Sequence, residues 1–206
     1  MRIVIAAAAA LALASCAASP EISPHTNEAS HTVKIVVPGG HGSGVHIGNG
    51  YIVTAAHVLG DTGSVKLKSS AGDTQSGSVL WANKTYDIAL VRAERPARLA
   101  AANLDCRNAE VGEHVTAEGN PATLEFVTAY GAVAGAPREM GPWKSAFVVD
   151  GTIVMGMSGG GVFDAKGNVV GIAAGVMSVP VGFGASLTGF GAVVPSSVVC
   201  TLLART

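Results

Sequence analysis

Short apolar runs separated by glycine, asparagine and aspartate recur along the chain from residue 31 onwards. Runs of this length, bounded by turn residues, are typical of β-strands rather than helices. Turn sequences such as Gly48-Asn49-Gly50 and Gly60-Asp61 lie between them, as tight hairpin connections require. The first predicted strands are Val33–Val37, Gly44–Ile47, Tyr51–Thr54, Ser64–Lys68, Ser76–Trp81 and Ile88–Arg92. Six strands are enough to close one small antiparallel barrel.

A second set of apolar runs follows after residues 99–110, which lose the strand pattern and are interpreted as a linker. Beyond the second set, Pro195-Ser196-Ser197 opens a short apolar stretch that predicts a C-terminal helix, with Ser196 as its N-cap or a first-turn residue. We therefore predict an all-β protein with two six-stranded antiparallel β-barrels, at residues 32–98 and 111–194, and a short helix at 195–206. The second set of strands is His114–Glu118, Leu124–Val133, Ser145–Val149, Gly161–Phe163, Val169–Ala174 and Gly189–Val194.

Composition supports this picture and removes one class of function. The 206 residues include 27 glycines and only 13% charged residues, which suits short strands and tight turns better than long surface helices. Thirteen lysines and arginines stand against 14 aspartates and glutamates, a net charge of -1. Nucleic-acid binding through a basic patch is therefore not expected.

Residues 1–15 have the features of a targeting segment. Arg2 precedes an apolar run, Ile3–Ala14, that is too short for a membrane-spanning helix of about 20 residues. Leu13-Ala14-Ser15-Cys16 resembles the lipobox at which bacterial lipoproteins are cleaved and acylated on cysteine. We expect a lipid anchor on Cys16, outer-membrane placement facing the periplasm because Ala17 follows, and a flexible tether at residues 16–31. The alternative is ordinary secretion after Ala12-Leu13-Ala14.

Export gives the two remaining cysteines a possible structural role, because disulfides persist outside the cytosol. Cys106 lies in the predicted linker and Cys200 lies in the predicted C-terminal helix. Two interpretations stand at this point: a disulfide that ties the linker to the helix, or two independent buried thiols.

A serine between glycines, in Gly156-Met157-Ser158-Gly159-Gly160, is the principal candidate for a catalytic nucleophile. The pentapeptide also fits the G-x-S-x-G elbow of α/β-hydrolases, but that fold places its acid and base after the serine. Here no histidine follows Ser158, so the open order is histidine, aspartate, serine. The histidines are His25, His31, His41, His46, His57 and His114.

His57 and Asp87 are the candidates for base and acid. His57 directly follows an apolar strand and precedes Gly60-Asp61, which places its imidazole at a strand exit. Asp87 opens the apolar run Ile88–Arg92, where a buried carboxylate needs a donor such as His57 Nδ1–H. Taken singly, His57 could be a satisfied core residue and Asp87 a turn residue.

The flanking residues resemble those of the trypsin-like serine proteases. The strings Thr54-Ala55-Ala56-His57 and Asp87-Ile88-Ala89-Leu90 match that family's histidine and aspartate motifs, and the glycine-flanked Ser158 matches its serine motif. Over residues 32–204 the chain is similar to the protease domain of the HtrA-like (DegP-like) branch. Its further matching strings are Gly42-Ser43-Gly44-Val45, Gly119-Asn120-Pro121, Val170-Gly171-Ile172 and Gly191-Ala192-Val193-Val194-Pro195.

The resemblance implies a catalytic triad and a substrate pocket. His57 would act as base, Asp87 as its partner and Ser158 as nucleophile, with the backbone N–H groups of Gly156 and Ser158 as the oxyanion hole. Thr152, six residues before the serine, would lie at the floor of the pocket for the residue preceding the scissile bond. The expected preference there is for small or medium apolar side chains. The wall would comprise Ile172, Ala173, Ala174 and Gly175.

Two departures from the family pattern carry expectations of their own. Met157 replaces the polar residue that usually precedes the serine, so a new N-terminal ammonium has no carboxylate to pair with. We therefore expect no trypsin-style zymogen activation. No PDZ domain of the kind common in HtrA proteases is recognised after the second barrel, so regulation through such a domain is not expected.

The sequence thus predicts a serine endopeptidase that cleaves exported or cell-envelope proteins through an acyl-enzyme intermediate. The alternative is a catalytically silent trypsin-fold binding or chaperone-like module, and an esterase is a more distant third. No cofactor or metal is expected, since His41 and His46 have no carboxylate near them in sequence. The expected partners are protein or peptide substrates and the membrane beneath the lipid anchor, and a monomer is expected.

Overall fold

The computed structural model describes residues 30–205. The expected signal peptide, the lipidation site at Cys16 and nearly all of the tether at 16–31 lie outside the described residues. Between residues 30 and 205 no helix has both the length and the apolar character needed to cross a membrane.

The first barrel contains six antiparallel strands in the spatial order β1-β2-β3-β6-β5-β4, and it closes because β1 also pairs with β4. A short helix, α1, follows β3 at the point where the chain leaves the barrel wall. The elements are β1 (Thr32–Val37), β2 (Gly40–His46), β3 (Tyr51–Thr54), α1 (Ala56–Leu59), β4 (Ser64–Ser69), β5 (Thr74–Asn83) and β6 (Ile88–Ala93).

The second barrel has the order β10-β11-β12-β9-β8-β7 and closes through the pairing of β10 with β7. A C-terminal helix, α2, follows it. The all-β prediction with two six-stranded antiparallel barrels is therefore confirmed. The elements are β7 (His114–Gly119), β8 (Val127–Met140), β9 (Trp143–Gly151), β10 (Gly161–Phe163), β11 (Val169–Val181), β12 (Gly184–Pro195) and α2 (Ser196–Leu203).

Two hairpins of the second barrel are longer than the sequence pattern predicted. The β8–β9 hairpin reaches to Met140 and Trp143, and the β11–β12 hairpin reaches to Val181 and Gly184. The outer part of the β11–β12 hairpin is exposed on both faces, with Phe183 fully exposed near its turn. A strand that buries neither face shows no apolar alternation, so the period-two signal ends before the strand does.

The C-terminal helix packs on the core between the barrels. Val199 and Leu202 of α2 belong to one apolar cluster with Leu90 of the first barrel and Ile172 of the second. The predicted linker runs beneath α2, where Cys106 and Cys200 are joined by a disulfide with Cα atoms 5.6 Å apart. Ser196 is the first residue of α2, and its hydroxyl donates to the carbonyl of Arg107 rather than capping the helix.

Candidate active site

The cleft between the barrels brings together the three residues predicted from the motifs. His57 lies on α1, directly after β3, and Asp87 lies in the turn that precedes β6. Ser158 lies in the connection between β9 and β10 of the other barrel. The His57 side chain is 50% exposed, whereas that of Asp87 is 11% exposed. A buried carboxylate therefore faces an imidazole that remains open to the cleft.

Two hydrogen bonds orient Asp87 against His57. The backbone N–H of His57 donates to Asp87 Oδ1 at 2.9 Å, and His57 Nδ1 lies 2.7 Å from Asp87 Oδ2. A carboxylate only accepts, so Nδ1 carries the proton of this contact, and in the neutral imidazole Nε2 is then the acceptor. This is the protonation state that a general base requires.

The backbone at Asp87 is in the left-handed region, with φ of +56°. Asparagine and aspartate tolerate this conformation better than other residues with a Cβ atom. The Asp87 carbonyl also accepts from the N–H of Ala56, at 3.2 Å, which ties the turn to the start of α1. The residue that supplies the carboxylate is thus held by its backbone as well.

Ser158 lies in the cleft without a hydrogen bond to the base. Its Oγ donates instead to the carbonyl of Ala174 at 3.4 Å, a long contact. Within residues 30–205 no hydrogen bond joins Ser158 to His57. Catalytic hydrogen bonds are often long or poorly aligned in unliganded enzymes and tighten when substrate binds.

The turn before the serine leaves two backbone donors free. The carbonyl of Met155 accepts from Ala122, at 3.1 Å, and the carbonyl of Met157 accepts from Gly160, at 2.9 Å. In a trans peptide the C=O and N–H groups point in opposite directions, so the N–H groups of Gly156 and Ser158 point away from these partners. Neither N–H donates to another group in the described part of the chain.

Gly156 is needed for this conformation on two counts. Its φ is +95°, which favours glycine, and a Cβ atom there would collide with the carbonyl oxygen of Asn120. The side chain of His41 also lies against this position, with its Nε2 2.9 Å from the Asn120 carbonyl.

A buried polar network under the serine turn connects the barrels. Ser43 Oγ donates to the Gly156 carbonyl at 2.8 Å and accepts from the N–H of Asn120 at 2.9 Å. The Ser43 N–H donates to the Ser158 carbonyl at 2.8 Å. The side chains of Ser43 and Asn120 are both fully buried. Sequence reasoning quoted Ser43 and Asn120 only as part of family motifs and missed this role.

The side chain of Met157 is directed into the second barrel. It is fully buried in the apolar cluster of that barrel, against Gly119, where a Cβ atom would meet the Met157 backbone and side chain at 2.8 to 3.1 Å. A methionine suits this position because the side chain fills core space and does not reach the cleft.

The residues predicted for the substrate pocket are only partly brought together. Thr152 is exposed, whereas Ile172 and Ala173 are fully buried in core clusters, so their side chains do not form a solvent-accessible wall. Ala174 lines a cavity of about 510 Å³ together with His57 and Asp87. Gly175 is partly buried beside the Trp143 ring.

Two cavities meet at His57. The second, of about 650 Å³, extends from Ser158 and Gly156 towards β2 and α1, with Met155 at its edge. Met155 is 80% exposed, as expected for an apolar side chain at the mouth of a groove. His57 therefore lies at the junction of two open cavities, with Ser158 lining one and Asp87 lining the other. Two adjoining open cavities can hold an extended chain along the cleft.

The histidines considered as metal ligands are bonded to the backbone. His46 Nδ1 lies 2.8 Å from the Ala100 carbonyl, and its Nε2 accepts from the N–H of Gly50 at 3.0 Å. Burial lowers the pKa of His46 below its ordinary value. Among residues 30–205 no group of three or more potential metal ligands is found.

Trp143 is a further residue at the site that the sequence does not predict. Its indole N–H donates to Asp87 Oδ2 at 3.2 Å from the first residue of β9. The sequence carries no signal for this contact, because Trp143 lies in the other barrel and outside the strings that match the family.

Two closed antiparallel barrels with a histidine, an aspartate and a serine in the cleft between them define the class of chymotrypsin-like folds. The sequence model of the trypsin-like peptidase domain matches residues 42–172, more than half of the chain, and the protein belongs to that family.

Its relatives include bacterial proteases of the DegP and HtrA groups. A probable periplasmic serine endoprotease DegP-like from Brucella suis is 31% identical over 146 residues, covering 68% of this chain and 28% of the relative. The periplasmic serine endoprotease DegP from Salmonella typhimurium is 29% identical over 170 residues, covering 80% of this chain and 35% of the relative. This chain therefore corresponds to about a third or less of the length of those relatives.

The fold also has a solved counterpart. The crystal structure of the Rv3671c protease in its inactive form superimposes with a TM-score of 0.73 at 21% identity, covering 85% of this chain and 88% of that one. This similarity supports the two-barrel fold.

Proposed function

We propose that this protein is a serine endopeptidase in which His57, Asp87 and Ser158 form the catalytic triad. The observation that carries the proposal is the 2.7 Å contact between His57 Nδ1 and Asp87 Oδ2 in the cleft that also holds Ser158. Membership of the trypsin-like peptidase family supports it, since the family motifs coincide with these three residues.

The chemistry follows from the geometry. Ser158 Oγ turns from the Ala174 carbonyl towards His57 Nε2 and gives up its proton as it attacks the peptide carbonyl carbon. The resulting oxyanion is stabilised by the free N–H groups of Gly156 and Ser158. His57 then returns the proton to the leaving amine, which breaks the C–N bond and leaves an acyl-enzyme. Water, deprotonated by His57, then attacks the acyl carbon, and Ser158 Oγ leaves with the proton that His57 returns, which releases the carboxylic acid product and restores Ser158.

The proposed substrates are exported or cell-envelope proteins. The relatives named as periplasmic endoproteases support this, as does the lipobox-like string ending at Cys16. We further propose that Cys16 carries a lipid anchor that holds the domain at the outer membrane, facing the periplasm, as a monomer. The preference for small or medium apolar residues before the scissile bond remains part of this proposal.

The protein is also proposed to need no activating cleavage. The trypsin-type switch requires a carboxylate beside the nucleophile to receive a new ammonium, and Met157 is an apolar side chain buried in the core. Limited proteolysis near residue 30 should leave the activity of the purified protein unchanged. A gain in activity after such cleavage would contradict this part of the proposal.

A fluorophosphonate probe tests the proposal directly, because it phosphonylates an activated serine without a known substrate. The wild-type protein should be labelled at Ser158, and Ser158→Ala should not. A folded wild-type protein that resists labelling between pH 6 and 9 would overturn the proposal.

One observation favours a second candidate, a catalytically silent binding or chaperone-like module. Ser158 and His57 share no hydrogen bond in the described structure, as in a protein whose nucleophile is at rest. This candidate predicts that Ser158→Ala binds an unfolded polypeptide as tightly as wild type does, while wild type cleaves none of it. Cleavage of the bound chain by wild type decides for the endopeptidase.

A further inference from the structure

The β8–β9 hairpin crosses from the second barrel to the first at its outer end. The backbone N–H of Lys144 donates to the carbonyl of Thr85, two residues before Asp87, at 3.3 Å. The neighbouring Trp143 ring lies against Gly175, where a Cβ atom would be 2.9 Å from the ring. The indole is therefore held between the turn that carries Asp87 and strand β11.

From this position the indole reaches the catalytic carboxylate. Its Nε1–H donates to Asp87 Oδ2 at 3.2 Å, the same oxygen that accepts from His57 Nδ1 at 2.7 Å. Indole N–H can only donate, and the acceptor it meets here is Asp87 Oδ2. Oδ1 is occupied by the backbone N–H of His57.

No other side chain in the described part of the chain shares this task. Within residues 30–205, only His57 and Trp143 donate a side-chain hydrogen to Asp87. The small residues that line the same cavity, Ala56 and Ala174, carry no polar side-chain atom. The ion pair of Lys84 with Asp61 lies at the exposed rim of this cavity, and the Lys84 amine bonds to Asp61 rather than to Asp87.

We propose that Trp143 is a positioning residue for the catalytic triad, which holds the Asp87 carboxylate in the orientation that fixes His57. This inference rests on the proposed function of the triad. The acid–base pair is carried by the first barrel and the nucleophile by the second. The indole is therefore a link through which the second barrel also sets the geometry of the base.

The test uses two tryptophans in the same protein. Trp143→Phe keeps an aromatic ring and removes only the donor. Trp81→Phe is the matched control, because the Trp81 Nε1 is buried without a hydrogen-bond partner. A fluorophosphonate probe supplies the maximal rate of inactivation and the apparent affinity of the probe for each variant.

For Trp143→Phe the maximal inactivation rate should fall about threefold to tenfold, the range expected for one lost hydrogen bond. The apparent probe affinity should change less than twofold, because the ring still fills its space. Trp81→Phe should change neither quantity by more than twofold. Equal inactivation rates for the two variants, or a loss confined to probe affinity, would overturn the proposal.

A second measurement examines the hydrogen bond independently of activity. The two indole N–H groups are resolved by ¹⁵N–¹H nuclear magnetic resonance and assigned with the two phenylalanine variants. In Asp87→Asn the Trp143 resonance should shift, because an amide is a weaker acceptor than a carboxylate, while the Trp81 resonance should stay in place. An unmoved Trp143 resonance would contradict the proposal even in an active enzyme. If the Trp143 resonance shifts in Asp87→Asn but the probe never labels the wild-type protein, the hydrogen bond is supported and the proposed function is refuted.

Discussion

The strongest constraints on single residues lie at Gly156 and His46. Gly156 has both a left-handed backbone and no room for a Cβ atom. Both nitrogens of His46 are engaged by backbone groups, which accept from Nδ1 and donate to Nε2. The structure therefore favours glycine at residue 156 and the neutral imidazole at His46. Substituting Gly156 and protonating His46 should both have measurable effects.

Gly156→Ala should abolish most of the proposed catalysis while leaving the protein folded. The new Cβ atom would push the turn away from Asn120 and displace one oxyanion donor, whose loss typically costs about 100-fold to 1000-fold in rate. Fluorophosphonate labelling rates measure the effect. Gly112→Ala is the matched control, since its φ of +92° is similar but nothing lies within 4 Å of the added atom. Comparable losses in both variants would show that backbone strain, not the oxyanion hole, is responsible.

Stability should fall as the pH drops below the ordinary pKa of histidine, 6.5, because burial lowers the pKa of His46 in the folded state. In that window the unfolded chain binds a proton that the folded protein excludes, so protonation favours unfolding. The loss should continue until the pH passes the lowered pKa. Urea unfolding at pH 7.5 and 5.5 measures it.

His46→Asn should reduce this pH dependence, because asparagine does not titrate. His114→Asn, at an exposed histidine, should leave it as in wild type. The same pH dependence in His46→Asn as in wild type would contradict the assignment to His46.

At the scale of elements, covalent and polar contacts tie the linker at residues 99–110 to α2. The disulfide joins Cys106 to Cys200, 94 residues apart in sequence, and Arg107 forms ion pairs with Asp105, Glu113 and Asp164. Hydrogen bonds and charge from Arg107 hold the pKa of Glu113 below its usual range. The disulfide and the contacts of the linker keep α2 on the core that both barrels share.

Removing the disulfide should lower the free energy of unfolding by about 2–5 kcal/mol, the range for a native bridge that closes a long loop. Cys106→Ala with Cys200→Ala, compared with wild type by urea unfolding, measures this. A reductant should lower the stability of wild type and leave the double variant unchanged. A double variant as stable as oxidised wild type would favour the alternative of two independent thiols.

Elements also differ in how well the sequence predicted them. Strands that line a core, such as β3 and β10, were predicted with the bounds that the structure shows, because burial imposes alternation or a continuous apolar run. The outer parts of β8, β11 and β12 and the first two residues of β9 were missed, because their exposed faces place no such demand on the sequence. The missed end of β9 is where Trp143 lies.

At the scale of the whole molecule, the barrels are joined by a buried polar contact as well as by apolar packing. Ser43 of β2 donates to Gly156 and accepts from Asn120, both in the second barrel. Buried groups that lose a partner cost about 1–3 kcal/mol, so this hydroxyl couples the alignment of the barrels to the serine turn.

Ser43→Ala should therefore lower the unfolding free energy by about 1–3 kcal/mol and slow labelling of Ser158, because the Gly156 carbonyl loses its donor. Urea unfolding and probe kinetics give the two numbers. Ser69→Ala is the matched control, since the Ser69 hydroxyl is buried without a partner and should be nearly neutral to remove. If the labelling rate of Ser158 is unchanged in Ser43→Ala, the Ser43 hydroxyl joins the barrels but does not set the geometry of the serine turn.

By itself, the sequence predicted two barrels and the candidate residues His57, Asp87 and Ser158, because strand patterns and the short motifs that resemble the family are local properties. Tertiary structure alone decided that the Ser43 hydroxyl holds the serine turn and that Met157 faces the core. It likewise decided that an indole from one barrel binds the carboxylate of the other. These contacts join segments 56 to 113 residues apart. A pairing over such distances depends on how two closed barrels dock, which no local pattern encodes.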